Sequence, residues 1–141
     1  MTMNQWVIWK PADEVAKKYR LESLTTEMEL PDVFLTEVGN NKKKLLLNFE
    51  YRVFSYRKTK LCANSHIIQQ LNEQHGLAFA AEWSFFKVGN SSYAQWVSDQ
   101  SYNFIPFDHL IHFAIITEDA LLEFVSGGEP EISHVDELIA E

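Results

Sequence analysis

Histidine spacing is the first feature of this sequence that could support chemistry. His109 and His112 lie three positions apart, directly after Asp108. On a helix this spacing would place both imidazoles on one face, where they could bind zinc. The surrounding residues predict a loop that enters a strand, and residues three apart on a strand point to opposite faces. We therefore expect His112 to be a hydrogen-bonded structural residue, and we predict no metal site.

A cysteine nucleophile is a second chemical hypothesis. Cys62 lies just before a predicted helix that starts near Ser65 and contains His66. A helix N-terminus lowers the pKa of a thiol and would activate it. A small, half-buried cysteine without a chemical role is the alternative that we favour. The sequence has no Gly-x-Ser-x-Gly motif, no HExxH motif and no phosphate-binding lysine loop, so we predict no catalytic residue and no cofactor.

Two carboxylates could take part in acid–base chemistry. Glu82 lies beside Trp83, and Glu50 lies within a predicted strand. A carboxylate that projects from a sheet into an apolar cavity can have a raised pKa and transfer protons. The sequence does not bring the two together. The simpler interpretation of Glu50 is that it forms a surface ion pair with Arg52.

Aromatic residues make up 13% of the chain and are concentrated between Phe79 and Phe113. Within that region, residues 102–107 predict a loop, because Asn103 and Pro106 interrupt both the helical and the strand period. Apolar side chains in a loop either pack back onto the core or form a contact surface. Exposed aromatic residues among acidic ones are typical of protein-interface hot spots. We predict that the loop binds a partner through three apolar anchors, Tyr102, Phe104 and Phe107.

Charge is distributed unevenly along the chain, whose net charge is −8. Beyond Lys60 the sequence contains one basic residue, Lys87, and all of the acidic excess. One interpretation is a solvated acidic surface that maintains solubility. The other is an acidic face that accelerates association with a basic partner. For that second case we predict four partner-steering carboxylates: Asp99, Asp108, Glu129 and Glu131.

The first half of the chain predicts one helix and three strands. A strand is expected at residues 6–9 and a helix at about 11–22, where Pro11 suits a first turn. Residues 33–38 predict a strand, followed by a turn at Gly39. Alternating apolar residues from Leu45 to Tyr56 predict the next strand, which should form an antiparallel hairpin with the preceding one.

The second half of the chain predicts three helices that alternate with two strands. Helices are expected from Ser65 to about His75, after a cap at Ser91 or Ser92, and from Thr117 to Gly127. Strands are expected at 83–88 and 110–117, the latter covered on both faces because it is nearly all apolar. An acidic tail should follow over about 129–141. The length favours a single globular domain over residues 1–141, with an α+β fold in which three to four helices pack on a mainly antiparallel, or alternatively mixed, sheet.

Three hypotheses about function follow. We favour a non-enzymatic domain that binds a basic protein, as an immunity protein or a similar stoichiometric inhibitor would. One alternative is a small enzyme or ligand-binding domain with a pocket between sheet and helices. The first candidates to line that pocket are His109, His112, Asp108, Tyr102 and Trp83. The other alternative is an oligomerising structural subunit. The negative charge argues against nucleic acid, and no apolar run reaches the roughly 20 residues of a membrane span. A lone cysteine and no secretory signal favour the cytoplasm.

Overall fold

A computed structural model describes residues 3–26, 31–49 and 53–136. These residues form nine strands and three α-helices. The strands are β1 (Gln5–Ile8), β2 (Tyr19–Thr25), β3 (Asp32–Glu37), β4 (Asn40–Asn48), β5 (Val53–Lys60), β6 (Phe85–Gly89), β7 (Ile111–Ile116), β8 (Ala120–Ser126) and β9 (Glu131–Asp136). The helices are α1 (Ser65–His75), α2 (Leu77–Ala81) and α3 (Ser92–Gln100). The architecture is therefore mostly sheet, with few helices.

Two antiparallel sheets stack on each other, and the helices cover one of them. The five-stranded sheet has the order β1-β6-β7-β8-β5, and the four-stranded sheet has the order β2-β3-β4-β9. Side chains alternate along β7: Phe113 and Ile115 pack with residues of the four-stranded sheet, whereas Ala114 and Ile116 pack with α1 and α2. The prediction that this strand is covered on both faces is confirmed.

Aromatic rings fill the space between the two sheets. Phe49 stacks on Phe124 with 4.3 Å between ring centroids, and Phe113 meets Phe49 edge-on at 5.5 Å. Trp9 closes this layer against Phe113 at 4.8 Å. Such pairs stabilise a core beyond the area that they bury.

The predicted hairpin and two of the predicted helices are confirmed. β3 pairs with β4 so that Leu35 lies opposite Leu45. The helix predicted from Ser65 to His75 is α1, with the bounds expected. Ser91 caps α3 by accepting a hydrogen bond from the backbone N–H of Ala94 at 2.9 Å.

The helix predicted at about 11–22 is wrong, because this stretch leads into β2. Tyr19 is buried in the layer between the sheets, where its ring lies 5.3 Å from that of Phe85. Its hydroxyl accepts a hydrogen bond from the backbone N–H of Ala16. Pairing with β3 and burial of Tyr19 outweigh the weak helical periodicity that suggested a helix.

The helix predicted from Thr117 to Gly127 is also wrong, because the segment forms β8. All seven residues of this strand are buried. In the tight turn between β7 and β8, the N–H of Thr117 donates to the carbonyl of Ala120 at 2.9 Å, and the Thr117 hydroxyl accepts from the N–H of Ala120 at 3.1 Å. A strand covered on both faces is apolar at nearly every position. Its apolar residues therefore also occur at the spacing of a helix face, and the pattern does not separate the two.

Three further boundaries differ from the prediction. The strand expected from Leu45 to Tyr56 is two strands in different sheets, since β4 ends at Asn48 and β5 begins at Val53. Residues 131–136 of the predicted acidic tail form β9, which pairs with β4. The short helix α2 was not predicted. The proposed pair of Glu50 and Arg52, and the tail beyond residue 136, lie outside the described residues.

Replacing Phe124 with alanine should lower the free energy of unfolding by about 3–5 kcal/mol, because a buried ring is lost and a cavity remains. Urea denaturation followed by circular dichroism measures the change. Leu77→Ala is the control, since Leu77 is exposed and its loss should cost within about 0.5 kcal/mol. An equal decrease in the free energy of unfolding for Phe124→Ala and Leu77→Ala would contradict this packing of the core.

Candidate functional site

A loop after α3 presents two aromatic side chains to solvent. Tyr102 is 94% exposed and Phe104 is 90% exposed, more than any other large apolar residue among those described. Tyr102 and Asn103 both have left-handed backbone conformations, with φ of 55° and 62°. Consecutive non-glycine residues of this kind persist only where the surrounding structure enforces them. The backbone at Tyr102 and Asn103 is therefore held by its surroundings.

Hydrogen bonds from α3 hold this loop in place. The Ser98 hydroxyl donates to the carbonyl of Ile105 at 2.8 Å, and the Ser101 hydroxyl accepts from the N–H of Ile105 at 3.0 Å. The N–H of Asn103 donates to the carbonyl of Ser98 at 2.9 Å. Ser98 is buried, and the two hydroxyl bonds are partly buried. These hydrogen bonds fix the loop to the C-terminal end of α3.

The predicted anchor Phe107 faces the other way. It is half-buried and packs against Tyr93, Val97 and Val125, beneath α3. Tyr102 and Phe104 therefore form the exposed part of the predicted contact surface, whereas Phe107 supports it from inside. Nothing in the sequence distinguishes the three, because all are aromatic residues of one short segment.

The four predicted steering carboxylates separate into two groups. Asp99 lies in the last turn of α3, where its carbonyl accepts from the N–H of Tyr102 at 3.0 Å, and Asp108 is exposed in the 3₁₀ turn Phe107–His109. Glu129 instead makes an ion pair with Lys87 of β6 at 2.9 Å. Glu131 is exposed on β9, in the sheet that lies on the opposite side of the five-stranded sheet from α3.

A carboxylate within β8 is the centre of a polar network, the Glu123 network, which consists of the buried residues Ser91, His112 and Glu123 and the half-exposed Arg57. Glu123 accepts from Arg57 Nε at 2.7 Å and Nη2 at 3.2 Å, and from His112 Nε2 at 2.8 Å. Burial by itself raises the pKa of Glu123, but the hydrogen bonds and charges of His112 and Arg57 outweigh it and lower the pKa below its usual value. Glu123 is therefore ionised inside the protein.

His112 connects this carboxylate to the start of α3. Its Nδ1 lies 2.7 Å from the Ser91 hydroxyl, which also accepts the N–H of Ala94 as the helix cap. Nε2 of His112 therefore faces Glu123 while Nδ1 faces Ser91, so both ring nitrogens are hydrogen-bonded. A serine, a histidine and a carboxylate are thus joined in sequence, but Ser91 is buried and engaged in capping, so it is not accessible as a nucleophile. The prediction of a hydrogen-bonded structural His112 is confirmed.

The other chemical hypotheses lose their geometric basis. His109 is exposed and His112 is buried, so the two do not share a face. Cys62 and His66 are both exposed, and no hydrogen bond joins them within the described ranges. Glu82 is exposed at the end of α2. No group of three or more His, Cys, Asp or Glu residues among those described could hold a metal ion.

Lys18 is a titratable group that the sequence did not single out. Its ammonium donates to the carbonyls of Ala80 at 2.8 Å and Trp83 at 3.1 Å, beside an apolar hollow of about 730 Å³. Burial lowers the pKa of Lys18 to about 8, and the charge of Glu118 partly opposes this shift. The bonds tie the segment before β2 to the end of α2. Lys18 was expected on a surface helix, which is why sequence patterns missed it.

No protein-family model, curated protein or solved structure matches this chain. No helix in the described part of the chain is long and apolar enough to cross a membrane. Function must therefore be argued from the geometry of the surface and the clefts.

Replacing Glu123 with glutamine should lower the free energy of unfolding by about 1–3 kcal/mol at neutral pH, because His112 and Arg57 lose a charged acceptor. The folded-state pKa of Glu123 lies below the unfolded value of about 4.3. Its contribution is therefore present above that value and is lost as pH falls through the folded-state pKa. The difference in the free energy of unfolding between wild type and Glu123→Gln should therefore become smaller in that acidic range. Urea denaturation repeated at several pH values measures this difference.

Glu131→Gln is the control for this comparison, since Glu131 is exposed. The free energy of unfolding of Glu131→Gln should depend on pH as that of the wild type does. A gap between wild type and Glu123→Gln that stays constant from about pH 7 to pH 3 would show that the carboxylate is not ionised in the folded protein.

Proposed function

We propose that this protein is a non-enzymatic binding module that captures a basic protein partner through the loop bearing Tyr102 and Phe104. The observation that carries the proposal is the near-complete exposure of both rings on a loop that hydrogen bonds join to α3. Aromatic side chains that stand out from a rigid backbone are the typical anchors of protein interfaces.

The energetics of the loop favour binding over a structural role. A left-handed non-glycine residue costs of the order of 1–3 kcal/mol, and this loop contains two in succession. Exposing both rings to water gives up their burial energy as well. Because the backbone is already ordered in the free protein, little conformational entropy remains to be lost when a partner covers the rings.

Charge supports a basic partner. From Val88 to the C-terminus the sequence contains no Lys or Arg, so every full charge along the segment that carries the loop is negative. Asp99 and Asp108 are exposed on either side of the loop along the chain. Such a field increases the rate of encounter with a basic surface. A stoichiometric inhibitor that neutralises a basic toxin, as an immunity protein does, is the specific form of this function that we favour.

Removing the two rings should abolish capture of the partner. Tagged wild-type protein and a Tyr102→Ala/Phe104→Ala variant would be incubated with native lysate, and bound proteins quantified by mass spectrometry. Each ring should contribute about 1–3 kcal/mol, which corresponds to roughly a 5- to 150-fold loss of affinity per substitution. Leu77→Ala is the matched control, because Leu77 is 75% exposed on α2. A basic protein should be retained by wild type and the control and lost from the variant.

Equal recovery by all three proteins would overturn the role of the loop. Recovery of the bait alone, together with a dimeric mass of the wild type that reverts to a monomer in the double variant, would assign the loop to self-association instead. Sedimentation measures that mass directly.

Reversing the nearby charges should act mainly on the rate of association. Asp99→Lys/Asp108→Lys should slow binding of the recovered partner and weaken its dependence on salt, with a smaller effect on dissociation. Glu131→Lys is the control, because β9 lies in the other sheet. Surface plasmon resonance at low and high salt measures both rates. An equal effect of the two changes would indicate a nonspecific effect of net charge.

A further inference from the structure

A cleft on the helical side of the five-stranded sheet is independent of the aromatic loop. It consists of two adjoining hollows of about 310 and 440 Å³, and Arg57, Ser92 and Tyr93 line both. The first hollow lies between α1, the start of α3 and the sheet, with His112 and Glu123 in its lining. A volume of about 300 Å³ is the lower end of the range for small-molecule sites.

Arg57 and Glu123 offset each other's charge in this cleft. They form a hydrogen-bonded ion pair at 2.7 Å, and both donors of the guanidinium that face the carboxylate are used. His112 is hydrogen-bonded through both ring nitrogens. The carboxylate and the guanidinium are therefore already paired with each other before a ligand enters. Their polarity still prevents a purely apolar ligand from filling the hollow without a desolvation cost.

Uncommitted amides provide the polar contacts of the first hollow. Gln70 and Gln74 lie one turn apart on α1, so their side chains share a face. Neither amide is hydrogen-bonded to any residue that the structure describes. The carbonyl oxygen of Asn4 accepts from Ser92, which leaves its NH₂ group for other partners. An amide both donates and accepts, as a hydroxyl group does.

An exposed aromatic residue lines the second hollow. Trp96 is 53% exposed and lines it, whereas the Tyr56 ring stacks on Phe124 on the other face of the sheet. The Arg57 guanidinium lies 4.1 Å from the centre of the Tyr93 ring, which keeps that ring in place beneath the cleft. An exposed ring beside hydrogen-bonding groups matches a ligand with a flat carbon framework and polar substituents.

We propose that this cleft binds a small, uncharged, hydroxylated ring compound of the monosaccharide class. The hydroxyl groups would bond with the amides of Gln70 and Gln74, and the carbon face of the ring would lie against Trp96. An anionic ligand is disfavoured because Arg57 is already neutralised by Glu123. A larger apolar ligand is disfavoured because the floor is polar.

The test is a titration followed by two-dimensional NMR with D-glucose, N-acetyl-D-glucosamine and myo-inositol. At least one of them should cause saturable shifts at cleft residues, with a Kd of about 1 mM or below. Gln70→Ala/Gln74→Ala should weaken that binding at least about tenfold, which is the loss expected for two hydrogen bonds. Alanine is a better helix former than glutamine, so α1 should remain intact.

Gln69→Ala is the matched control, because Gln69 is on the same helix but its amide donates to Glu73. It should bind as the wild type does. Inorganic phosphate and indole are the probes for the competing ligand classes, and neither should bind more tightly than the ring compounds. No saturable binding by any of the three, tighter binding of phosphate or indole, or binding that survives Gln70→Ala/Gln74→Ala would overturn the proposal.

Discussion

An ionised carboxylate inside a fully buried strand is the constraint on which the rest of the structure depends. Glu123 lies in β8, all of whose residues are buried. Such a charge is tolerated only when it is paired and hydrogen-bonded. Arg57 of β5 and His112 of β7 provide these bonds, so the three strands that meet around the carboxylate are fixed in register.

The same network supports the two surfaces that we propose bind ligands. His112 holds Ser91, Ser91 caps α3, and the buried serine near the other end of α3 holds the loop that exposes Tyr102 and Phe104. The loop and the cleft are thus both positioned by one helix and one buried charge. Among the described residues, no strand of the four-stranded sheet lines the cleft or holds the loop. The role of this sheet is to cover the apolar face of the five-stranded sheet.

Sequence patterns located elements that depend on local signals. The hairpin of β3 and β4 follows from alternation and a glycine turn, and α1 and α3 follow from caps and apolar stripes. The exposed loop was also located, because Asn103 and Pro106 interrupt any regular period. What the patterns could not distinguish was Phe107, which packs inward, from Phe104, which does not.

By itself, then, the sequence determined the acidic balance, the sheet-forming hairpin, two helices and an aromatic loop, because each arises from neighbouring residues. Only the tertiary structure decided that β8 is a strand, that β2 and β9 join the second sheet, and that residues 57, 112 and 123 meet. The physical reason is that burial on both faces removes the alternation that identifies a strand. Contacts between distant segments likewise leave no local period to detect.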